Sequence, residues 1–148
     1  MIASAFIDTN VLVYAYDAFS PAKQVRAGEI LTQLAQAGTG CLSCQVLSEF
    51  VAVVTKKIPA PFGIADAHER VANFLRVWRV LDLTGPIVLE ACRGVREHRL
   101  NYWDALIWAS ARLNQIPLIL SEDFRDNEVL EGVRFLNPFR NEFDLNDL

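Results

Sequence analysis

The chain has 148 residues, of which 52% are hydrophobic and 22% are charged, and its net charge is −4. At ~150 residues per domain, this length predicts a single domain over residues 1–148. The hydrophobic content excludes an intrinsically disordered chain, which needs low hydrophobicity and high net charge.

The sequence also argues against a membrane or secreted protein. Its longest hydrophobic runs, at residues 11–16, 50–54 and 105–109, are far shorter than the ~20 residues of a membrane-spanning helix. The first ten residues lack a basic segment and contain Asp8, unlike a secretory signal peptide. An odd number of cysteines, three, does not make a disulfide scaffold. We therefore expect a cytoplasmic protein with no membrane partner.

The hydrophobic pattern predicts strands and helices that alternate along the chain. Short hydrophobic runs predict strands at residues 3–7, 40–43, 80–83, 118–120 and 133–136. Helical periodicity and capping residues predict helices at residues 11–16, 21–37, 46–57, 65–78, 86–99 and 102–114. Thr9 or Asn10 is expected to cap the first helix, and Gly38 to end the second. Such a pattern predicts an α/β fold with a mainly parallel sheet of about five strands.

The charges are distributed unevenly, with −2 over residues 1–20, +3 over residues 21–99 and −5 over residues 100–148. The acidic balance argues against a protein that coats nucleic acid, which needs a basic surface. Arg93, Arg96 and Arg99 recur every three residues along one predicted helix. They are either a solvated helix face or a basic rim that steers phosphate groups such as those of RNA.

The cysteines and histidines form no regular ligand set. Cys41 and Cys44 make a single Cys-x-x-Cys pair, whereas a structural zinc site needs four ligands. Cys92, His68 and His98 do not supply a second pair. We therefore interpret Cys41 and Cys44 as small buried core residues, with a metal or redox role as the alternative, and we place both histidines on helix surfaces.

Four carboxylates interrupt the hydrophobic pattern. Asp8 and Asp123 follow predicted strands, while Glu49 and Asp104 lie on the hydrophobic faces of predicted helices. Burying an ionised carboxylate costs several kcal/mol unless a partner compensates it. If the four converge beyond the carboxyl ends of the strands, a Mg²⁺ or Mn²⁺ ion would compensate them and activate water. Each acid also has a structural alternative. Asp8 would be a helix cap and Asp123 a turn residue, while Glu49 would be an exposed helix residue and Asp104 an acid in a first helical turn.

Four segments, in the same order along the chain, resemble the PIN domain, and in particular the VapC toxins of bacterial toxin–antitoxin pairs. They are FIDTNVL at residues 6–12, VLSEF at residues 46–50, YWDALI at residues 102–107 and LSEDF at residues 120–124. The likeness spans nearly the whole chain. It implies a three-layer α/β/α sandwich and a Mg²⁺-dependent endoribonuclease, with Mn²⁺ as a substitute ion.

The resemblance also implies roles for the four carboxylates. Asp8 and Asp104 would bind the metal directly, and Asp123 would bind it directly or through water. Glu49 would orient or deprotonate the attacking water.

Further positions around the fourth segment carry over from the same resemblance. Asn10 and Ser121 match polar positions that would brace the site. Asp123 matches the acidic position of the family, whereas its neighbours Glu122 and Asp126 do not. Glu122 would point away from the site if the strand pleat continues.

Members of the family form homodimers and bind a small antitoxin, whose C-terminal segment lies across the groove with a basic side chain near the acids. Trp103, Trp108, Phe139 and Phe143 are candidates for such contacts, although we favour a core position for both tryptophans. The acidic tail at residues 141–148 is expected to be flexible or to pack on a neighbouring surface.

Two other functions remain as alternatives at this stage. One is a PIN-like module that binds RNA or protein without cutting, which the intact set of four acids disfavours. The other is a haloacid-dehalogenase-like phosphatase with Asp8 as nucleophile, although Asn10 stands where that family has a second aspartate. Phosphate-binding glycine loops and the serine nucleophile elbow are absent from the sequence.

Overall fold

The computed structural model describes residues 4–148, and within them the predicted strands and helices form one α/β sandwich. The strands are β1 (Ala5–Ile7), β2 (Gly40–Ser43), β3 (Arg79–Leu81), β4 (Leu118–Leu120), β5 (Val129–Leu130) and β6 (Val133–Leu136). The helices are α1 (Thr9–Tyr14), α2 (Pro21–Ala37), α3 (Cys44–Val54), α4 (Ile64–Val77), α5 (Gly85–His98) and α6 (Tyr102–Leu113), followed by a short 3₁₀ helix at Leu145–Asp147. None of the helices described is long and hydrophobic enough to cross a lipid bilayer.

The six strands described lie in the order β3-β2-β1-β4-β6-β5, and all are parallel to their neighbours except β5. Strand β1 is therefore central, with β2 on one side and β4 on the other. In this register Ile7 lies opposite Leu120. The residues that follow them, Asp8 and Ser121, consequently leave the sheet side by side at its carboxyl edge.

The strand order explains how the helices form two outer layers. The chain moves outward in one direction from β1 to β2 to β3, and then returns across the sheet to β4. Because parallel crossovers are right-handed, α1 to α4 lie on one face and α5 and α6 on the other. The packing agrees: α3 contacts α1 and α4, whereas α6 packs along α5 and against β4 and β6. The predicted three-layer α/β/α fold is thus confirmed.

The two tryptophans of α6 differ in their positions. Trp108 is fully buried, as expected, and packs so closely against Gly94 that a side chain there would collide with the indole ring. Trp103, in the first turn of the helix, is 61% exposed. The prediction of a core position for Trp103 is therefore wrong, because the helix start projects beyond the core that buries the rest of α6.

Several local expectations also need correction. Strand β5 was not expected, because it is only two residues long. It pairs with β6 across a tight turn at Glu131 and Gly132, both of which have positive φ. Helix α1 is capped by the side chain of Asp8 instead of Thr9 or Asn10. The first strand was expected to begin at Ala3, which lies outside the described residues.

The cysteines match the interpretation only in part. Cys41 is buried as expected, but Cys44 begins α3 and is exposed. Burial raises the pKa of the Cys41 thiol to about 11, and burial together with Asp82 raises that of Cys44. Neither thiol is therefore poised as the reactive thiolate of a redox pair.

The acidic tail packs on its own chain. Phe143, Leu145 and Leu148 lie against the hydrophobic core. The guanidinium of Arg26 lies over the Phe143 ring at 5.3 Å, and the Gln33 amide donates a hydrogen bond to the Leu145 carbonyl at 2.8 Å. In the structure the tail thus lies over α2.

Candidate active site

Asp8 occupies the centre of the carboxyl edge of the sheet. Its backbone N–H donates to the carbonyl of Leu120 at 3.0 Å, which extends the pairing of β1 with β4 by one residue. Its side chain then caps α1: Oδ1 accepts a hydrogen bond from the N–H of Thr9 at 2.7 Å. Oδ2 accepts a hydrogen bond from Ser121 Oγ at 2.7 Å. The carboxyl group is 4% exposed and is held at both oxygens.

Ser121 and Asn10 connect Asp8 to Asp123. The amide of Asn10 donates to Ser121 Oγ at 3.1 Å and to Asp123 Oδ2 at 3.2 Å. The backbone N–H of Asp123 also donates to Ser121 Oγ, at 3.1 Å. These bonds bridge the turn after β4 and the first turn of α1. The two residues predicted to brace the site, Asn10 and Ser121, are in place to do so.

Asp104 reaches the site from the opposite layer. Asn101 caps α6 by accepting a hydrogen bond from the N–H of Trp103 at 2.9 Å. An acidic residue in the first turn of a helix is favoured by the helix dipole. The next seven residues, Ala105–Ala111, are buried. They anchor α6 and leave Asp104 half-buried at the edge of the core.

The structure brings three of the four predicted acids into one cluster. Carboxylate oxygens of Asp8, Asp104 and Asp123 lie within 4.8 Å of one another. Burial, together with the charges of Asp123 and Glu49, raises the pKa of Asp8 to about 7, against the hydrogen bonds from Ser121 and Thr9 that lower it. Burial and the same two charges raise the pKa of Asp104 to about 6. The cluster therefore resists ionisation on its own.

Glu49 lies beside this cluster and is fixed by two donors. Thr9 Oγ1 donates to its Oε2 at 2.8 Å, and Gln45 Nε2 donates to its Oε1 at 2.8 Å. The same Gln45 nitrogen donates to the carbonyl of Trp103 at 3.0 Å and so ties α3 to α6. Each carboxylate oxygen keeps a free lone pair for a further hydrogen.

Thr9 and Gln45 were missed in the sequence. Gln45 lies four residues before Glu49, a spacing that places both on one helical face and that could have revealed it. Thr9 gave no such signal, because its contact with Glu49 joins residues that are 40 positions apart.

Glu122 takes no part in the cluster. Its Oε1 accepts a hydrogen bond from the hydroxyl of Tyr14 at 2.7 Å, and its Oε2 pairs with the ammonium of Lys23 at 2.9 Å. Lys23 also lies over the Tyr14 ring at 4.5 Å. Glu122 is thus neutralised by Lys23. Because β4 ends at Leu120, these contacts set its direction, and the condition of a continued strand pleat is not met. Asp126 is held separately by Arg140, at 3.0 Å.

Two of the three arginines considered for a basic rim, Arg93 and Arg96, form ion pairs with glutamates. Arg93 pairs with Glu90, with Glu97 at 2.8 Å and with Glu131 at 2.9 Å. Arg96 pairs with Glu97 at 3.3 Å. Glu131 also accepts a hydrogen bond from His98 at 2.7 Å, and its cationic partners lower its pKa to about 2.

This network corrects the interpretation of that helix face. Arg93 is a structural cation, and Arg99, in a left-handed conformation, ends α5. His98 is partly covered by this network, whereas His68 is exposed on α4 as expected. Only Arg96 and Arg99 of the row remain exposed.

The donor set of the cluster fits a hard divalent cation. Mg²⁺ and Mn²⁺ prefer oxygen ligands, and Mg²⁺ is usually held by one or two carboxylates with water completing its shell. Asp8, Asp104 and Asp123 come from three different elements and offer such oxygens at mutual distances that one ion can span. The open side is a cavity of about 380 Å³, lined by Asn10, Glu49 and Asp123 among others. This cavity therefore gives access from solvent to Asp123 and Glu49.

Comparisons with known proteins agree with this geometry. The model of the PIN domain family matches residues 5–130. A toxin–antitoxin complex from Klebsiella pneumoniae aligns with a TM-score of 0.61 at 20% identity, covering 91% of this chain and 98% of the other. DNA-bound VapBC from Salmonella typhimurium aligns at 0.63 and 18%, covering 90% and 97%. The sarcin–ricin loop cleaving toxin VapC20 of Mycobacterium tuberculosis aligns at 0.58 and 20%, covering 78% and 87%.

A search of curated proteins gave no match. The match to the family model covers most of the chain, and the fold and the acidic cluster agree with it. The protein therefore belongs to the PIN domain family. This assignment leaves no support for the phosphatase alternative.

Proposed function

We propose that the protein is a metal-dependent endoribonuclease that hydrolyses RNA phosphodiester bonds with Mg²⁺, or with Mn²⁺ as a substitute. The observation that carries this proposal is the approach of the Asp8, Asp104 and Asp123 carboxylates to within 4.8 Å of one another, beside an open cavity that Asp123 and Glu49 line. Three acids at this distance repel one another unless a cation joins them. A purely structural role would not explain why they converge from three elements.

RNA is the proposed substrate because of the family and its neighbours. VapC20, which shares this fold, is described as cleaving the sarcin–ricin loop. The fold alone does not define the substrate, so cleavage of RNA itself must be measured.

The residues of the chain would divide the work in the following way. Asp8, Asp104 and Asp123 would hold the cation, which, when bound, activates water and offsets the charge that develops on the phosphate. Glu49, fixed by Thr9 and Gln45, would accept the proton of the attacking water through a free lone pair.

Asn10 and Ser121 would maintain the geometry of this cluster. Asn10 donates a hydrogen bond to Asp123. Ser121 donates one to Asp8 and accepts one each from the Asn10 amide and the Asp123 backbone N–H. Such supporting bonds fix the orientation of ligands and tune the site that they form.

We further propose that this nuclease is the toxin of a toxin–antitoxin pair and that it forms a homodimer. Structures that share its fold include VapBC2 from Rickettsia felis bound to a DNA fragment of its promoter and FitAB bound to a DNA fragment. A cognate antitoxin would place a basic side chain near the carboxylates, where it would take over the compensation that a cation provides.

The nuclease proposal is tested with Asp8→Asn and Asp104→Asn. Each change keeps the size of the side chain and removes one anionic ligand. We expect cleavage of RNA in Mg²⁺ to fall at least a hundredfold in both, with cooperative unfolding retained. Glu142→Gln, at a carboxylate that is 75% exposed on the tail, is the matched control and should cleave like the wild type. Undiminished cleavage by both aspartate variants would refute the metal site.

A further inference from the structure

A second cavity, of about 540 Å³, adjoins the acidic cluster and has mainly hydrophobic walls. Trp103 and Leu83 form its outer side, and Gln45, Glu49 and Val53 of α3 form its inner side. Glu49 and Val53 also line the cavity that contains Asp123. The two cavities therefore meet at Glu49, and we refer to the second one as the Trp103 cavity.

The backbone of Trp103 is held by two hydrogen bonds. Its backbone N–H donates to Asn101, and its carbonyl accepts the hydrogen bond from Gln45. The ring of Tyr102 lies edge-on to it at 5.3 Å. The indole is nevertheless 61% exposed and directly precedes Asp104 in the chain. A large, exposed aromatic ring on a well-anchored backbone beside the proposed nuclease site has the properties of a stacking surface for a base.

Two polar features of the cavity indicate what would occupy it. Lys57 lines both cavities, and within residues 4–148 it forms no ion pair, so its ammonium is available to a phosphate. Gln45 is only 7% exposed, and its orientation is fixed because both partners of Nε2 are acceptors. Its Oε1 is consequently a buried acceptor with no partner among the described residues.

These features favour a nucleotide over an aliphatic side chain. A buried acceptor without a partner is costly, and the edge of a nucleobase carries N–H donors that an aliphatic group lacks. A base also stacks on indole, and the attached phosphate carries the charge that suits Lys57.

We propose that the Trp103 cavity binds the base of a nucleotide that flanks the cleaved bond of single-stranded RNA, with Trp103 as its stacking partner. This rests on the proposed ribonuclease function and adds to it a specificity site. The expected contribution of one stacked base is a ten- to hundredfold change in affinity or kcat/KM.

Binding is measured first, because it does not depend on cleavage. The Asp8→Asn protein is titrated into fluorescein-labelled single-stranded oligoribonucleotides of random sequence, and anisotropy gives the affinity. Adding Trp103→Leu, which keeps a hydrophobic side chain without the aromatic face, should weaken binding ten- to hundredfold. Trp103→Phe should retain most of the affinity. Phe19→Leu, at an aromatic residue that is 70% exposed outside either cavity, should change nothing.

Cleavage then locates the base. A short RNA spanning a cut mapped with the wild-type protein is compared with versions that lack one base beside the cut. One abasic version should lose about as much kcat/KM as Trp103→Leu loses on the intact RNA, and the two changes together should cost no more than either alone. Losses that multiply would show that indole and base do not contact each other and would overturn the proposal.

The outcomes separate this inference from the proposed function. If the wild type cleaves RNA but Trp103→Leu binds and cleaves normally, the nuclease stands and the base site is wrong. If RNA binding depends on Trp103 but no RNA is cleaved, the base site stands and the nuclease fails. Absence of RNA binding overturns the base site. It is also overturned if Trp103→Leu weakens only the binding of an antitoxin segment, which would make the cavity a protein-docking site.

Discussion

The raised pKa of Asp8 predicts that the metal-free protein loses stability as the pH rises. Asp8 ionises near pH 3.8 in the unfolded chain, but its folded pKa is about 7 because burial and neighbouring acids disfavour the charged form. Between these values the folded state binds more protons than the unfolded state. The free energy of unfolding must therefore fall with increasing pH over this window and level off above it.

The magnitude follows from the size of the shift. A shift of about three units corresponds to roughly 4 kcal/mol in total, and linkage places about 2–3 kcal/mol of it between pH 5 and pH 8. Asp104 acts in the same direction over part of this window, since its pKa is raised to about 6. The contribution of Asp8 is therefore obtained from the difference between wild type and Asp8→Asn.

The assay is urea unfolding of both proteins in EDTA at a series of pH values. Asparagine can still accept the hydrogen bond from the Thr9 N–H but carries no charge, so the variant should keep the helix cap. We expect the stability of Asp8→Asn relative to wild type to increase by about 2–3 kcal/mol from pH 5 to pH 8. Glu142→Gln should follow the wild-type curve.

Adding Mg²⁺ should offset the stability that the wild type loses relative to Asp8→Asn at high pH. A cation that binds only the folded state stabilises it by mass action, and it needs the ionised carboxylate. Mg²⁺ should therefore stabilise the wild type more at pH 8 than at pH 5, and should stabilise Asp8→Asn much less. Parallel pH curves for wild type and Asp8→Asn in EDTA, or equal stabilisation of both by Mg²⁺, would refute this account of the cluster.

Two further predictions concern the support of the site and of the sheet. Thr9→Val removes the hydroxyl that donates to Glu49 while keeping the side-chain shape, so kcat for RNA should fall about tenfold while Thr9→Ser stays near wild type; equal rates for both would contradict the role of this bond. Gly40→Ala would place a methyl group 2.0 Å from the ring of Trp78 and should lower the free energy of unfolding by about 1–3 kcal/mol in urea. Gly28→Ala, which has open space on α2, should not destabilise, and a similar loss at both glycines would refute the steric argument.

The sequence was sufficient for the main layers of the fold because their hydrophobic patterns are long. It failed where the signal was short or uniform. Strand β5 has only two residues, Val129 and Leu130, too few for a pattern. In α6 nearly every position after the first turn is buried, so periodicity did not separate Trp103 from Trp108. Only the place of Trp103 in the first turn distinguishes it.

The candidate site was predictable to the extent that topology determines it. Residues that follow adjacent parallel strands must come together, and Asp8 and Ser121 do so. The choice of Asp123 over Glu122 also agrees with the geometry, since Lys23 and Tyr14 engage Glu122. In contrast, the ion pairs of Arg93 were predictable only in part: Glu90 and Glu97 lie three and four residues away on the same helix, whereas Glu131 comes from a distant part of the chain.

Asp8 caps α1 and is also a proposed metal ligand, and only the second role requires its carboxyl group to be ionised. As the cap of α1 it needs only an oxygen for the Thr9 N–H, which a protonated carboxyl or an asparagine amide also provides. In its proposed role as a metal ligand it would have to be ionised, in a buried position beside Asp104 and Asp123. The cap and the bond from Ser121 keep the carboxyl group in position in either state. The fold can therefore form without a cation, and under the proposed function the free energy lost on ionising Asp8 would be recovered on binding a cation or a basic side chain of a partner.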